Sequence, residues 1–199
     1  MCVIAVSRAG VRQPTKDQLY TMWCNNPHGA GYMFARDGQV TIHKGFMIWE
    51  EFYSAVRAER FTLRDPVVYH FRISTQAGVN PCMTHPFPLS RNLDHMKALD
   101  ITCPIGVAHN GIIPMTSDKN EHEYSDTALF VANYLTELIR RPGDLIRASI
   151  HDMIEELTMS KWAIMDGDGR IVTIGRFTTE GNLEFSNGSY RPYSLHRRV

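Results

Sequence analysis

Short apolar runs open and close the chain, and stretches of helical period lie between them. Residues 1–6, Met1-Cys2-Val3-Ile4-Ala5-Val6, form a β-like run that breaks at Ser7-Arg8, and a polar loop with a short helix to about Met22 follows. Apolar and polar positions alternate through 30–35 and 39–44, and Asp37-Gly38 between them is a strong two-residue turn signal, so the pattern predicts a hairpin. A helix is predicted over about 48–59. Residues 66–71 and 105–109 are short, β-rich and apolar enough to be buried strands. The Pro-, Asn- and Thr-rich stretch between them reads as a loop, and loops held by a rigid sheet are where binding residues tend to sit.

From Ser125 the period changes. Ser125 is a helix-capping residue, Asp126 suits a first turn, and Leu129, Val131, Leu135, Leu138 and Ile139 supply apolar faces until Pro142-Gly143 stops the helix. A second helix is predicted over about 145–159. Strands follow at 161–165 and 170–176 around the turn Asp166-Gly167-Asp168-Gly169, and a last strand at 183–186. Strands early and late, with two helices in the middle, predict an α+β fold of stacked sheets covered by helices rather than an alternating parallel fold.

Composition narrows the function classes. At 199 residues, 43% of them hydrophobic, the chain is expected to be one domain spanning 1–199 with a sizeable core and no room for a second catalytic module. Lys+Arg and Asp+Glu both number 21, so no basic field points to nucleic acid and no acidic tail points to disorder. The opening apolar run is too short for a signal peptide, and no run approaches the ~20 residues that cross a bilayer, so a soluble, cytoplasmic protein is expected, without membrane partners. Cys2, Cys24, Cys82 and Cys103 show no CxxC spacing, and no disulfide framework is expected.

Four places carry candidate chemistry. Removal of Met1 would leave a thiol and a free α-amine on Cys2, a nucleophile and a base with ordinary pKa values of ~8.5 and ~7.7–8.0; the plainer alternative is a small buried strand residue. Arg72 ends a predicted buried strand, and its guanidinium fork suits a carboxylate; the plainer alternative is a structural ion pair. Asn110-Gly111 is ordinarily a hairpin turn. In the functional reading its side-chain amide and backbone N–H form an oxyanion hole. Asp126, in Tyr124-Ser125-Asp126-Thr127, is either a capping-segment acid or a binding group for an ammonium; with Arg72 it would recognise a zwitterion.

In this order, the residues resemble the glutamine amidotransferase domain of the class II, N-terminal nucleophile type, over most of the chain. Cys2 matches the mature N-terminal nucleophile. The stretch 25–31, Asn-Asn-Pro-His-Gly-Ala-Gly, resembles the glycine-bearing segment before the first hairpin. Arg72 and Thr75 match the glutamine-binding loop, Thr84-His85-Pro86 the small-His-Pro stretch, His109-Asn110-Gly111 the oxyanion motif, and Asp126 the acid that binds the substrate amine. Trp162 to Arg170 looks like the late hairpin. Each motif alone is common; their ordered set is specific.

The resemblance implies a four-layer αββα sandwich of the N-terminal nucleophile hydrolase type, with Cys2 between the sheets. It implies hydrolysis of the γ-amide of L-glutamine through a Cys2 thioester, with Asn110 and Gly111 holding the oxyanion, Arg72 the α-carboxylate, Asp126 the α-amine, and Thr75 assisting. No cofactor and no metal are implied. Ammonia would pass to a separate synthase or other acceptor-modifying protein. The chain departs from the family where Ile73 follows Arg72 and where Gln76-Ala77 precede Gly78 with one extra residue, which bears on how that loop closes. Two other readings stand beside it: an N-terminal cysteine amidase acting on a non-glutamine amide, and a non-catalytic protein, with zinc held by Cys24, His28, Cys82 and His85 as one form. Phe46-Met47-Ile48-Trp49 is either helix core or a docking surface. His43, His70, His95 and His122 read as surface or satisfied histidines, and His196-Arg197-Arg198 as a solvated tail.

Overall fold

The computed structural model describes residues 2–73, 79–114 and 123–192. In chain order the elements are β1 (Val3–Ser7), α1 (Lys16–Asn25), β2 (Ala30–Arg36), β3 (Gln39–Phe46), α2 (Trp49–Ala58), β4 (Val67–Phe71), β5 (Phe87–Pro88), α3 (Leu93–Lys97), β6 (Asp100–Cys103) and β7 (Ile105–Asn110). They continue with α4 (Asp126–Phe130), α5 (Thr136–Leu138), α6 (Ala148–Thr158), β8 (Lys161–Asp166), β9 (Ile171–Ile174), β10 (Thr178–Glu180) and β11 (Leu183–Phe185). Two antiparallel sheets result, one in the order β10-β11-β1-β4-β2-β3-β6 and one in the order β5-β7-β8-β9.

The period of two along each strand decides what faces what. Val3 and Ala5 of β1, Tyr32 and Phe34 of β2, and Tyr69 and Phe71 of β4 pack with Leu19 and Met22 of α1 and Phe52 of α2. The intervening residues Ile4, Val6, Met33 and Val68 meet Ala108, Ala163 and Met165 of the smaller sheet. The other face of that sheet, with Val107, Trp162 and Ile164, packs on Leu129, Phe130, Leu135 and Ile154 from the later helices. A strand buried on both faces carries apolar residues on both, which is why β1 and, apart from His70, β4 read as mostly apolar runs rather than as alternation.

The first hairpin forms where expected: Asp37 and Gly38 both take positive φ, 52° and 75°, the geometry of a type I′ turn, with Arg36 opposite Gln39. Thr15 starts α1 with a capping box, accepting from the Gln18 N–H while Gln18 Oε1 accepts from the Thr15 N–H. Ser125 caps α4 by accepting from the Ala128 N–H at 3.2 Å.

Several expectations need correction. The stretch between β4 and β7 is not only loop: it holds a 3-10 turn at Pro81–Met83, β5, α3 and the edge strand β6. Two residues of strand and one turn of helix are too short to leave a periodic signal. The helix starting at Asp126 passes into a π-helical turn at Val131–Leu135 and ends at Leu138, before Pro142, because Ile139 is extended. The second helix begins at Ala148, after a 3-10 turn at Pro142–Ile146 and an extended Arg147. Asn110-Gly111 is not a hairpin turn, since β7 pairs with β5 and β8 and the chain beyond it does not return along the strand. Of Phe46 to Trp49, Phe46 and Trp49 pack against the core under α1 and α2, as the core reading expected, while Ile48 is half exposed. Among the described residues no helix is long and apolar enough to cross a membrane.

Gly31 has a positional requirement. A Cβ there would lie 2.4 Å from the His85 carbonyl oxygen and 2.6 Å from Lys44 Cβ, so only glycine lets the segment carrying His85 lie on the sheet. Gly31→Ala is expected to lower stability by about 1–3 kcal/mol through overpacking. Urea denaturation would read this as a lower midpoint with an unchanged slope; an unchanged midpoint would show that His85 can move aside.

Candidate active site

The alternation that builds the cores also sorts the candidate residues. Cys2 precedes β1 in phase with Ile4 and Val6, Arg72 follows β4 in phase with Val68 and His70, and Asn110 ends β7 in phase with Ala108. All three therefore continue the facing sides of the two sheets. Val3 lies opposite Phe71, which brings the start of β1 to the end of β4.

Cys2 Sγ accepts from the Ile73 N–H at 3.3 Å and lies 3.5 Å from the Ile73 carbonyl oxygen. The Asn187 side-chain amide donates to the Cys2 carbonyl at 2.6 Å. Burial raises the pKa of the thiol; the Ile73 backbone and the Arg72 charge pull it down without cancelling that effect. The resting group is thus a thiol, and a proton must leave it before attack.

Arg72 is buried. Its backbone is fixed to the glycine-bearing segment: Arg72 N–H donates to the Gly29 carbonyl at 2.8 Å and His28 N–H to the Arg72 carbonyl at 2.9 Å. Burial lowers the guanidinium pKa, and the neighbouring Cys2 and Asp126 groups oppose that fall. Arg72 thus shares electrostatic surroundings with both. Asp126 Oδ2 accepts from the Ile113 N–H and Oδ1 from the Thr127 N–H, at 2.8 and 2.7 Å, so its carboxylate is oriented by backbone at both oxygens. Thr75, Gln76, Ala77 and Gly78 lie outside the described residues, as do Met1, His122 and the basic tail.

Asn110 is buried, with Nδ2 donating to Ser186 Oγ at 2.8 Å and Oδ1 lacking a hydrogen-bond partner among the described residues. Ser186 Oγ also accepts from the Ile4 N–H at 2.9 Å, which links the end of β7 to β1 two residues from Cys2. A Cβ on Gly111 would lie 2.4 Å from Ser160 Oγ and 2.7 Å from Ser160 Cβ, so a glycine is needed for the chain to pass there. The structure therefore groups Cys2, Arg72 and Asp126 electrostatically and joins Asn110, with Gly111 next to it, to the same strand end.

No protein-family model matches the chain, and no curated protein matches it in sequence.

Sequence reasoning missed a buried polar cluster beside these residues. His70, read above as a surface or satisfied histidine, is fully buried, and its Nδ1 has no partner. Its Nε2–H donates to the His109 carbonyl at 3.1 Å, and His85 Nδ1 lies 3.0 Å from the same oxygen. The His70 and His85 rings stand 4.3 Å apart, and His109 Nδ1 is 2.8 Å from Thr127 Oγ1. Burial lowers the pKa of His70 and of His109 to about 3 and that of His85 well below its ordinary value, so all three are neutral at pH 7. Next to them the buried Lys44 donates to the carbonyls of Cys82 and Met96 at 2.8 and 2.6 Å and sits over the Phe87 ring, and burial lowers its pKa to about 7. The available signal was a polar residue inside an otherwise apolar strand, as in Tyr69-His70-Phe71.

Among the described residues no group of three or more His, Cys, Asp or Glu side chains is placed to hold a metal ion, so the zinc alternative finds no site there. Cys24 is exposed, and all four cysteines are free thiols.

Proposed function

We propose that the chain is a class II glutamine amidotransferase domain that hydrolyses the γ-amide of L-glutamine through a thioester on Cys2 and releases ammonia to a separate acceptor-modifying protein. The observation that carries this reading is geometric: Cys2 Sγ lies against the backbone of Ile73, next to the buried Arg72, and Asn110 is tied through Ser186 to Ile4, two residues from Cys2. The order of layers, with helices outside two facing antiparallel sheets, supports the αββα sandwich of N-terminal nucleophile hydrolases.

In this reading Met1 is removed and the Cys2 α-amine takes the thiol proton, directly or through water. The thiolate attacks the γ-carbonyl, and the Asn110 amide and the Gly111 N–H receive the negative oxygen. The tetrahedral intermediate collapses with ammonia leaving, and water hydrolyses the γ-glutamyl thioester. Arg72 pairs with the substrate α-carboxylate and Asp126 with its α-amine. No cofactor takes part.

Three amides test the reading with Met1-free protein: L-glutamine, glutaramate, which lacks the α-amine, and 4-aminobutanamide, which lacks the α-carboxylate. Removing one partner of a desolvated charge pair costs about 2–5 kcal/mol, so L-glutamine is expected to be preferred over each by roughly 30-fold or more in kcat/KM. Asp126→Asn, which also turns an NH2 toward the Ile113 or Thr127 N–H, is expected to raise KM for L-glutamine by a larger factor than KM for glutaramate. Equal turnover of glutaramate and L-glutamine would move the reading to an amidase for another amide.

A further inference from the structure

Ser186 and Asn187 follow β11 and have no part in the reading above, yet they hold its two reacting centres. Asn187 donates to the Cys2 carbonyl, and Ser186 Oγ touches the Asn110 amide while accepting from the Ile4 N–H. In β11, Leu183 and Phe185 face the helix-side core, so Ser186, next in alternation, faces the other sheet and Asn110. The Ser186 N–H donates to the Ile4 carbonyl at 3.0 Å, and Lys161 Nζ donates to the Ser186 carbonyl, so the residue is fixed from both sides.

A serine hydroxyl has one hydrogen and two acceptor sites. With Asn110 Nδ2 donating to it, Ser186 Oγ accepts twice, and the hydroxyl hydrogen and the buried Asn110 Oδ1 are both left without partners. A buried polar group without a partner costs about 1–3 kcal/mol. A half-turn of the amide about Cβ–Cγ moves no carbon and exchanges nitrogen and oxygen. Ser186 O–H then donates to Oδ1, both orphans are satisfied, and the group left open is the Asn110 NH2. That is the donor an oxyanion requires.

We propose that Ser186 is a positioning residue that fixes the orientation of the Asn110 amide: its hydroxyl, with the Ile4 N–H on one lone pair, donates to Asn110 Oδ1 and turns the NH2 group away from itself, leaving one of its hydrogens for the reacting oxygen. This rests on the amidotransferase reading for its consequence, though not for its geometry. Without the hydroxyl the amide has no fixed orientation, and its carbonyl oxygen can face the developing oxyanion.

Two measurements test it. Neutron diffraction from deuterium-exchanged crystals of the Met1-free protein is expected to show a deuteron on Ser186 Oγ directed at Asn110 and the ND2 group on the far side; ND2 facing Ser186 overturns the proposal whatever the activity. In steady-state glutaminase assays, Ser186→Ala is expected to lower kcat at least about tenfold, since a lost oxyanion donor typically costs 10²–10³, with KM for L-glutamine held within about twofold and Ser186→Thr restoring turnover. An unchanged kcat, or equal losses in kcat and in the fraction of folded protein, would overturn it. Absence of glutamate release from the wild type would instead count against the glutaminase reading, and the neutron map would still decide the amide orientation.

Discussion

Met1-free protein carrying Cys2→Ala is expected to lose glutamate release from L-glutamine by roughly 10⁴-fold or more, the scale on which removal of a catalytic nucleophile acts. The size follows from the proposed mechanism: without Sγ no thioester would form, and Arg72, Asp126 and Asn110 would hold a substrate that nothing attacks. Cys2→Ser is expected to be nearly as inactive, because a hydroxyl is far less acidic than a thiol and this site already disfavours the anion by burial. Protein that retains Met1 should match the alanine variant even with Sγ present, since the Cys2 nitrogen is then an amide and no longer a base. Intact mass paired with glutamate assays separates these cases. Only the processed wild type should accumulate a γ-glutamyl adduct on acid quenching, and wild-type turnover by Cys2→Ala would end the nucleophile reading. Among the described residues Sγ bonds only to the Ile73 backbone, so the variant should fold and the loss should be chemical.

Much of this site was legible because its residues stand at the ends of strands with strong patterns. Cys2 before β1, Arg72 after β4 and Asn110 at the end of β7 inherit their direction from the alternation of apolar neighbours, and alternation is a sequence property. Asp126 was found through its capping context, where Ser125 and the helix period agree. The supports were not legible. Ser186 and Asn187 have no pattern of their own, and their partners Asn110 and Cys2 lie 76 and 185 positions away in the chain. Contacts of that span are set by how β11 pairs with β1, which no local window contains. The same holds for β5 and β6, whose few residues are strands only because β7 and β3 supply their ladders. His70 was misread for a related reason: a histidine in an apolar strand has the same local sequence whether its imidazole meets solvent or the His109 carbonyl.

That buried cluster makes the fold sensitive to acid. His70 and His109 titrate at about 3 in the folded protein against an ordinary 6.5, and His85 is shifted in the same direction by burial and by the neighbouring His70, His109, Arg72 and Lys44. Above pH 6.5 both folded and unfolded forms hold these rings neutral, and the stabilisation is complete. As pH falls below 6.5 the unfolded chain takes up protons that the folded protein refuses down to about 3, so stability is lost across that window. Each unit of pH costs ~1.4 kcal/mol per histidine, or about 2 kcal/mol each at pH 5. The losses at His70 and His109, roughly 4 kcal/mol together, with His85 adding in the same direction, compare with the 5–15 kcal/mol that holds a typical domain together. Lys44, lowered to about 7 from 10.5, acts with the same sign in the window above, so stability should climb from pH 7 toward 10. Urea midpoints are therefore expected to fall steeply between pH 6.5 and 5. His70→Gln keeps a donor for the His109 carbonyl without the titrating ring, and should make that slope shallower. An identical slope would mean that His70 takes up its proton as readily in the fold, with Arg72 nearby, as in the unfolded chain, and that it is not a source of the acid sensitivity.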